Sequence, residues 1–192
     1  MGSVIYDKSM SLDGFMAGAN VRLEAGLGDD GERLHDWAFQ DDYGKGMLER
    51  EIERLGAVIC GRRTYDMSIQ YWGADGPTGP ARVPLFVLSH SVPDDVLEDG
   101  VYTFVDDAET ALARARETAG DKNVSVMGGE VGRQYLRAGV VDEISVHLVP
   151  VLFGSGTRML ENVVDEHVTL ELLEMAESPH AVHLRYRVVR DG

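Results

Sequence analysis

Short apolar runs recur along the chain, and glycine, proline or charged residues separate them. An apolar run of about four to eight residues is typical of a strand that is buried in a sheet. The runs that predict strands are residues 4–6, 57–60, 83–90, 101–105, 124–127 and 142–154. Residues 168–189 contain two more such runs on either side of Ser178-Pro179, which predicts an antiparallel hairpin near the C-terminus. The Gly/Pro-rich residues 73–82 predict an irregular surface loop.

Between the strands, apolar residues recur at helical spacing, which predicts that these segments are helices. Residues 47–56 predict a helix that ends at Gly56, because glycine often follows the last helical turn. Residues 62–72 predict a second helix with Thr64 as its N-cap residue. Residues 106–120 predict a third helix, which has an acidic start and an apolar stripe of alanine and leucine.

Helices and strands therefore alternate along the chain and end in a hairpin. This order predicts an α/β protein with a mostly parallel central sheet, helices on both of its faces and an antiparallel C-terminal hairpin. We expect residues 1–192 to form a single domain, since a chain of this length can bury one substantial core. Ligands of such sheets bind beyond the carboxyl ends of the strands, so residues 61–64, 89–90 and 128–132 are the candidate positions.

Composition and charge narrow the classes of partner. The net charge of −15 argues against nucleic acid and anionic membranes as partners, because both require a basic surface. The single cysteine, Cys60, excludes an internal disulfide and a multi-cysteine zinc site, and its apolar surroundings predict a buried structural thiol. No apolar run approaches the roughly 20 residues of a membrane span, and the N-terminus has no apolar signal core. We therefore expect a cytoplasmic protein.

Two arginines follow the strand at residues 57–60 and begin a helix. The guanidinium groups of Arg62 and Arg63 suit phosphate oxygens, and a helix N-terminus adds partial positive charge. In a chain this acidic the pair indicates an anion site; the alternative is a surface pair bound to nearby carboxylates. Ser89 and His90 end the next strand and could bond a second phosphate oxygen, although a serine there is also ordinary turn chemistry.

Gly128 and Gly129 stand between a strand and a predicted helix. Glycine permits a sharp turn and the close approach of a ligand, and a helix start presents unpaired N–H groups to an anion. The alternative is a tight turn with no ligand. The segment GGEVG lacks the G-x-G-x-x-G spacing of the dinucleotide-binding fingerprint, which disfavours a Rossmann dehydrogenase.

Five segments resemble, in chain order, the dihydrofolate reductase superfamily: SMSLDGFMAG, VICGRRTYD, FVLSH, VMGGEVGRQYL and VDEISVHLVPVLFGSGTRML. They are most similar to the branch that contains the RibD C-terminal reductase domain of bacterial riboflavin biosynthesis. The resemblance covers about residues 4–189 and implies a dihydrofolate reductase-like three-layer fold and an NADPH-dependent reductase. It also implies cofactor-binding roles at the three strand ends, for Gly61, Arg62, Arg63, Thr64, Ser89, Gly128, Gly129, Glu130 and Val131.

The resemblance assigns the remaining site residues to the substrate side. Asp13 in SLDGFMAG is the candidate catalytic contact, with a plain Asp-Gly turn as the alternative. The segment LHDWAF lies where the family builds one wall of the substrate pocket. Trp37 could stack on a planar ring there and His35 or Asp36 could bond its edge, although Trp37 could equally be core. Arg158 is the candidate partner of a substrate phosphate.

Two departures from the wider superfamily limit the prediction. Dihydrofolate reductases carry a carboxylate on the helix after the first loop, and none of Asp36, Asp41 and Asp42 can be assigned that role. The zinc deaminase domain of bifunctional riboflavin enzymes is also missing, since the chain has no H-x-E with a later P-C-x-x-C. The histidine spacings predict no metal site, and His147 is interpreted as a core residue whose hydrogen bonds are satisfied.

The leading hypothesis is an NADPH-dependent reductase of the 5-amino-6-(5-phosphoribosylamino)uracil reductase type. The alternatives are a dihydrofolate or pterin reductase, and a nucleotide-binding module that has no catalytic activity. We also expect a homodimer, for which the apolar strand at residues 144–153 is the predicted contact.

Overall fold

A computed structural model of the chain describes residues 2–40, 42–164 and 167–190. Its ten strands are β1 (Val4–Ser11), β2 (Phe15–Ala17), β3 (Leu55–Gly61), β4 (Leu85–Leu88), β5 (Tyr102–Val105), β6 (Asn123–Val126), β7 (Glu143–Val149), β8 (Thr157–Arg158), β9 (Leu170–Ser178) and β10 (Ala181–Val188). Its α-helices are α1 (Asp36–Phe39), α2 (Asp42–Arg54), α3 (Arg62–Trp72), α4 (Ala108–Ala119) and α5 (Gly129–Arg137). Two 3-10 helices, Gly31–His35 and Gly73–Ala81, precede α1 and follow α3.

Eight of these strands form one sheet in the order β5-β4-β3-β6-β1-β7-β10-β9, and β2 pairs with β8 separately. The pairings from β5 to β7 are parallel, whereas β10 runs antiparallel to both β7 and β9. The predicted architecture, a mostly parallel sheet that ends in an antiparallel hairpin, is therefore confirmed.

Alternate residues of β3 show that both faces of the sheet are covered. Ala57 and Ile59 pack with residues of α4 and α5 in one apolar cluster. Val58 and Cys60 point to the opposite face and pack with Tyr65 of α3 in a second cluster. A third cluster under α1 contains Leu34, Trp37 and Ala38 together with residues from β7 and β10. The predicted three layers are thus present, and Cys60 is buried, as its apolar run indicated.

β1 is longer than its apolar run predicts, because it continues through polar residues to Ser11. Residues 5–11 pair in register with residues 143–149 of β7, so the backbone remains in the sheet after the apolar residues end. β7 is in turn shorter than predicted, since it ends at Val149.

Three other local predictions were wrong. Helix α2 ends at Arg54 and Gly56 lies in β3, where a Cβ atom would come 2.5 Å from Cα of Ala119. Gly56 is therefore needed for the close packing of α4 on β3. The N-cap residue of α3 is Gly61, not Thr64. The predicted loop at residues 73–82 is largely a kinked 3-10 helix.

No helix within the described residues is long and apolar enough to cross a bilayer.

Candidate active site

The order of the sheet brings the three predicted strand ends together. β3 lies between β4 and β6, and all three run in the same direction. Their carboxyl ends, followed by Arg62, Ser89 and Gly128, therefore meet along one edge of the sheet. The side chains confirm this proximity, since Nη1 of Arg62 lies 3.3 Å from Oγ of Ser89.

Gly128 forms a backbone corner that other residues could not form without strain. Its φ of +91° lies in the region that glycine adopts readily. A Cβ atom at this position would come 2.6 Å from Oγ1 of Thr64 and 4.0 Å from the backbone nitrogen of Gly61. The corner after β6 therefore lies directly against the start of α3. Val131 packs across the same junction, because its Cγ2 lies 3.0 Å from a Cβ built on Gly61.

Two helix N-termini meet at this corner. The N-cap residues of α3 and α5 are Gly61 and Gly128, and in neither case does a side chain cap the helix. Gly132 makes the first intrahelical bond of α5 to the carbonyl of Gly128, so the preceding N–H groups of Gly129, Glu130 and Val131 have no helical acceptor. Adjacent N–H groups and two helix dipoles suit an anion.

Arg62 is held in one position, whereas Arg63 is available. The Nε of Arg62 donates to Asp66 at 2.7 Å, and its Nη1 donates to the carbonyl of Ser91 at 3.1 Å. Arg63 is exposed and makes no ion pair or hydrogen bond with any side chain that the structure describes. The alternative of a surface pair bound to carboxylates thus holds for Arg62 through Asp66 but not for Arg63.

Glu130 could contribute only its backbone to this site. Its carboxylate pairs with Arg133 at 3.0 Å and with Arg137 at 3.3 Å. The hydrogen bond from Arg133 is the main cause that lowers the pKa of Glu130. Arg133 also donates to the carbonyl of Arg158 at 2.9 Å, which ties α5 to β8.

Asp13 fastens two loops to each other. Its carboxylate accepts hydrogen bonds from Oγ of Ser11 at 2.6 Å and from the backbone nitrogens of Phe153 and Gly154 at 3.1 and 2.7 Å. The bond from Ser11 is the main cause that lowers the pKa of Asp13 to about 2. At neutral pH the group is therefore ionised and is a poor proton donor. A catalytic role for Asp13 stays a prediction, and the geometry assigns it a loop-holding role.

Arg158 lies beside the Asp13 turn. Its guanidinium stacks over the ring of Phe15, 4.6 Å from the centroid, and donates to the carbonyl of Asp13 at 3.3 Å. The side chain is exposed and makes no ion pair with a described carboxylate. Its positive charge is thus available to a ligand beside the Asp13 turn. Its contact with a substrate phosphate stays a prediction.

The segment LHDWAF divides between core and surface. Trp37 is only 4% exposed, so the structure places it in the core and not on a pocket wall. His35 is half-buried, and burial is the main cause that lowers its pKa to about 4, so it is neutral at pH 7. Asp36 accepts a hydrogen bond from Gln40 at 2.6 Å. Asp42 begins α2, and Asp41 lies outside the described residues.

Sequence reasoning missed a buried polar cluster under Trp37. Nδ1 of His147 on β7 lies 2.8 Å from Nδ1 of His183 on β10, and Nε2 of His147 lies 3.4 Å from the Asp7 carboxylate. The Trp37 ring covers both imidazoles, with its centroid 4.0 Å from that of His147. Its Nε1 donates to Oγ of Ser9 at 2.9 Å. Polar residues at alternate positions of β1 were the available signal.

The cluster is not a metal site by its geometry. Among the residues that the structure describes, no group of three or more His, Cys, Asp or Glu side chains is placed to hold a metal ion.

Comparison with known proteins identifies the family. The sequence profile described as the RibD C-terminal domain matches residues 3–184. The chain belongs to the RibD C-terminal domain family. Members of this family are reductase domains, and the RibD-type assignment made from the five sequence segments is confirmed.

This RibD-type chain is similar in sequence to a curated relative and in fold to solved structures. It is 25% identical over 180 residues to the uncharacterized protein YwjB of Bacillus subtilis (strain 168), covering 93% of each chain. A solved structure from Shewanella sp. PV-4, whose name places it provisionally in riboflavin biosynthesis, superposes with a TM-score of 0.72 at 21% identity, covering 98% and 99% of the two chains. Dihydrofolate reductase from Enterococcus faecalis, solved with NADP(H), gives 0.63 at 17% identity, covering 97% and 96%. At these identities the two structures show the dihydrofolate reductase-like fold alone.

Proposed function

We propose that the protein is an NADPH-dependent reductase that transfers hydride to a small heterocyclic substrate. The observation that carries this proposal is the corner at which two helix N-termini, both with glycine N-caps, meet beside Arg62 and Arg63. Anionic groups bind at such places because backbone N–H groups and guanidinium groups converge there. The NADP(H) named with the E. faecalis enzyme of the same fold supports a nicotinamide cofactor.

The described residues fit such a cofactor. The backbone N–H groups of Gly129, Glu130 and Val131, which have no helical acceptor, could bond a pyrophosphate beside the Gly128 corner. Arg63 has an unpaired charge for the 2′-phosphate, and Ser89 lies next to the fixed Arg62. When bound, NADPH would supply the hydride. The protein would align the nicotinamide with its acceptor, exclude water and provide a proton.

Cofactor binding tests the proposal most directly. We expect Arg63→Ala to weaken NADPH binding about 10- to 100-fold, which corresponds to about 1.5–3 kcal/mol for a hydrogen bond to a charged group. NADH binding should change little, because NADH lacks the 2′-phosphate. Arg62→Ala should also affect NADPH more than NADH, but it removes the contacts with Asp66 and Ser91 as well.

Arg187→Ala is the matched control for these variants, since Arg187 lies on β10 and pairs with Glu171. Calorimetric titration with both cofactors gives the dissociation constants. Equal losses for NADPH and NADH in Arg63→Ala would contradict the assignment of the 2′-phosphate to this residue. Absence of NADPH binding to the unmodified chain would remove the reductase proposal.

The proposed substrate is 5-amino-6-(5-phosphoribosylamino)uracil or a related heterocycle with a phosphorylated side chain. Membership of the RibD C-terminal domain family and the exposed Arg158 beside the Asp13 turn support this choice. The decrease of NADPH absorbance with this compound, compared with dihydrofolate, is the test. Oxidation with dihydrofolate alone would favour a pterin or folate reductase, and binding without oxidation would favour a module that lacks catalysis.

We also propose a homodimer, but through β9 and not through β7. β7 lies between β1 and β10, so its backbone is already paired on both sides. β9 ends the sheet in the described chain and carries exposed apolar side chains, among them Leu172 at 52% and Met175 at 68%. An apolar edge strand of this kind is a contact surface for another strand. In such a dimer, β9 of one copy would pair with β9 of the other, so the exposed edges of both sheets would be covered.

Light scattering tests the dimer. We expect the unmodified chain to have twice the monomer mass and Leu172→Lys to have the monomer mass, while Leu23→Lys, at an exposed leucine elsewhere, should leave the mass unchanged. Salt should strengthen the dimer, because each copy carries a net charge of −15. A monomeric unmodified chain would contradict the proposal.

A further inference from the structure

We propose that the chain has a second anion-binding site, which holds the phosphate group of a small phosphorylated molecule between Arg116 and Arg190. The site is a cavity of about 510 Å³. Binding sites for small molecules commonly have volumes of about 300–1,000 Å³. The lining of the cavity includes Ser3, Arg116, Asp142, Glu143, Arg187 and Arg190. The inference does not depend on the proposed reductase function, because none of these residues belongs to the candidate active site.

The cavity lies at the edge of the sheet opposite the three strand ends. Strands β1 and β7 begin at this edge, and β10, which runs antiparallel to β7, ends there. The backbone nitrogen of Val188 donates to the carbonyl of Asp142 at 2.9 Å, and that of Asp142 donates to the carbonyl of Val4 at 2.8 Å. Arg116, in the last turn of α4, forms a further wall. A ligand here would therefore lie at the far end of the strands from the Gly128 corner.

The Arg116 side chain lines this cavity and makes no hydrogen bond to a described residue. Its ion-pair contact, from Nη2 to Oδ2 of Asp142, is 3.9 Å long, which is beyond hydrogen-bond distance. Its Nε is buried and has no acceptor among the described residues. A buried donor without an acceptor is unfavourable, so little is lost when this guanidinium turns towards an anion in the cavity.

Arg190 is anchored at one nitrogen and keeps its other donors. Its Nη2 donates to Oδ1 of Asp142 at 2.9 Å and to the carbonyl of Val141 at 3.1 Å. No described residue accepts a hydrogen bond from its Nη1 or Nε, and its side chain is 51% exposed. Because Asp142 orients the guanidinium from one side, its other edge can bond an anion.

The other charges of the lining are neutralised in pairs. Glu143 pairs with Arg185, and Arg187 pairs with Glu171 at 2.7 Å. The carboxylate of Asp142 offsets one of the two remaining guanidinium groups. Within the residues that the structure describes, the lining thus keeps one positive charge in excess, although the net charge of the chain is −15. This local excess favours an anionic ligand.

A phosphate group suits the positions of the two arginines. Guanidinium groups from separate walls, the end of α4 and the end of β10, can contact different oxygens of a tetrahedral phosphate. A phosphate monoester also carries up to about two negative charges at neutral pH, which the two guanidinium groups match. The cavity is larger than a phosphate group alone, so it has room for the sugar or other polar group to which the phosphate is attached.

Calorimetric titration of the full chain with glucose 6-phosphate tests the inference, and glucose is the uncharged comparison. Two charge-assisted contacts correspond to a dissociation constant of about 1 mM or lower. We expect glucose 6-phosphate to bind in this range and glucose not to bind. Arg116→Gln should weaken the binding about 10-fold or more. Arg190→Gln should have a similar effect, which keeps the test valid if one variant is unstable.

Arg114→Gln is the matched control, because Arg114 lies on the same helix as Arg116 but its guanidinium is placed over the Phe86 ring, 5.7 Å from the centroid. Its affinity for glucose 6-phosphate should equal that of the unmodified chain. NMR of ¹⁵N-labelled arginine gives a second readout. The Nε–H resonance of Arg116, assigned by its loss in Arg116→Gln, should shift when glucose 6-phosphate is added.

The outcomes separate this site from the candidate active site. Absence of glucose 6-phosphate binding to the unmodified chain, or undiminished binding in Arg116→Gln, would overturn the inference. If binding is instead weakened by Arg63→Ala, the phosphate group binds at the Gly128 corner, and the second site is again contradicted. An Arg116 resonance that glucose 6-phosphate leaves unchanged would have the same meaning. None of these results bears on whether the chain oxidises NADPH.

Discussion

Replacing Gly128 by alanine tests whether the corner between β6 and α5 is built as described. At φ +91° and ψ 146° an alanine would have a strained backbone conformation, which costs about 1–3 kcal/mol. Its Cβ would also lie 2.6 Å from Oγ1 of Thr64, closer than such atoms approach, so that α3 or α5 must shift. We expect Gly128→Ala to lower the free energy of unfolding by about 3 kcal/mol, of which backbone strain is the larger part.

Gly139→Ala is the matched control, since Gly139 also has a positive φ of +66° but no heavy atom within 4 Å of a Cβ built on it. Strain alone should cost about 1–2 kcal/mol there. Thr64→Ala removes the contacting oxygen, so the double variant Thr64→Ala/Gly128→Ala should recover part of the loss, a coupling of about 1 kcal/mol. Urea unfolding measures all four free energies. The reasoning is refuted if Gly128→Ala costs no more than Gly139→Ala, or if the double variant is additive.

Three further changes have defined outcomes. Trp37→Phe should lower the free energy of unfolding by about 1–2 kcal/mol in urea, because it removes the bond to Ser9 and part of the ring contact. The ionised Asp13 carboxylate stabilises the fold, because its pKa is lowered to about 2 in the folded state. This stabilisation is complete above the unfolded carboxyl pKa and is lost as pH falls from about 4 to about 2. Asp13→Asn should abolish this pH dependence, and thermal unfolding across that range measures it. Gly132→Ala should unfold in urea more easily than Gly139→Ala, because its Cβ would lie 2.1 Å from Cε2 of Tyr6.

The three strand ends were predictable from the sequence because they depend on chain order alone. Parallel strands that are separated by helices place their carboxyl ends on the same edge of the sheet, whatever their order within it. Glycines and arginines at those ends then indicate where an anion could bind. The sequence could not show that Asp66 holds Arg62 while Arg63 stays unpaired, since that depends on side-chain geometry within α3.

The histidine pair could not be predicted for a different reason. His147 and His183 lie on separate strands, and only the register of β7 against β10 makes them direct neighbours. A shift of one residue would place them on opposite faces of the sheet. The sequence predicted a satisfied core residue at His147, which agrees with its burial, but its partners required the structure.

The length of β1 explains why the polar cluster around His147 was missed and links that cluster to the predicted strand ends. A strand covered on both faces reads as a continuous apolar run, and the run in β1 stops at Tyr6 although the strand continues to Ser11. Tyr6 still packs against α5, through Gly132. From Asp7 onward one face of β1 carries the polar groups that contact His147 and Trp37. Apolar patterning ends at the residue where β6 leaves the sheet, so the under-predicted part of β1 is the part that borders the candidate site.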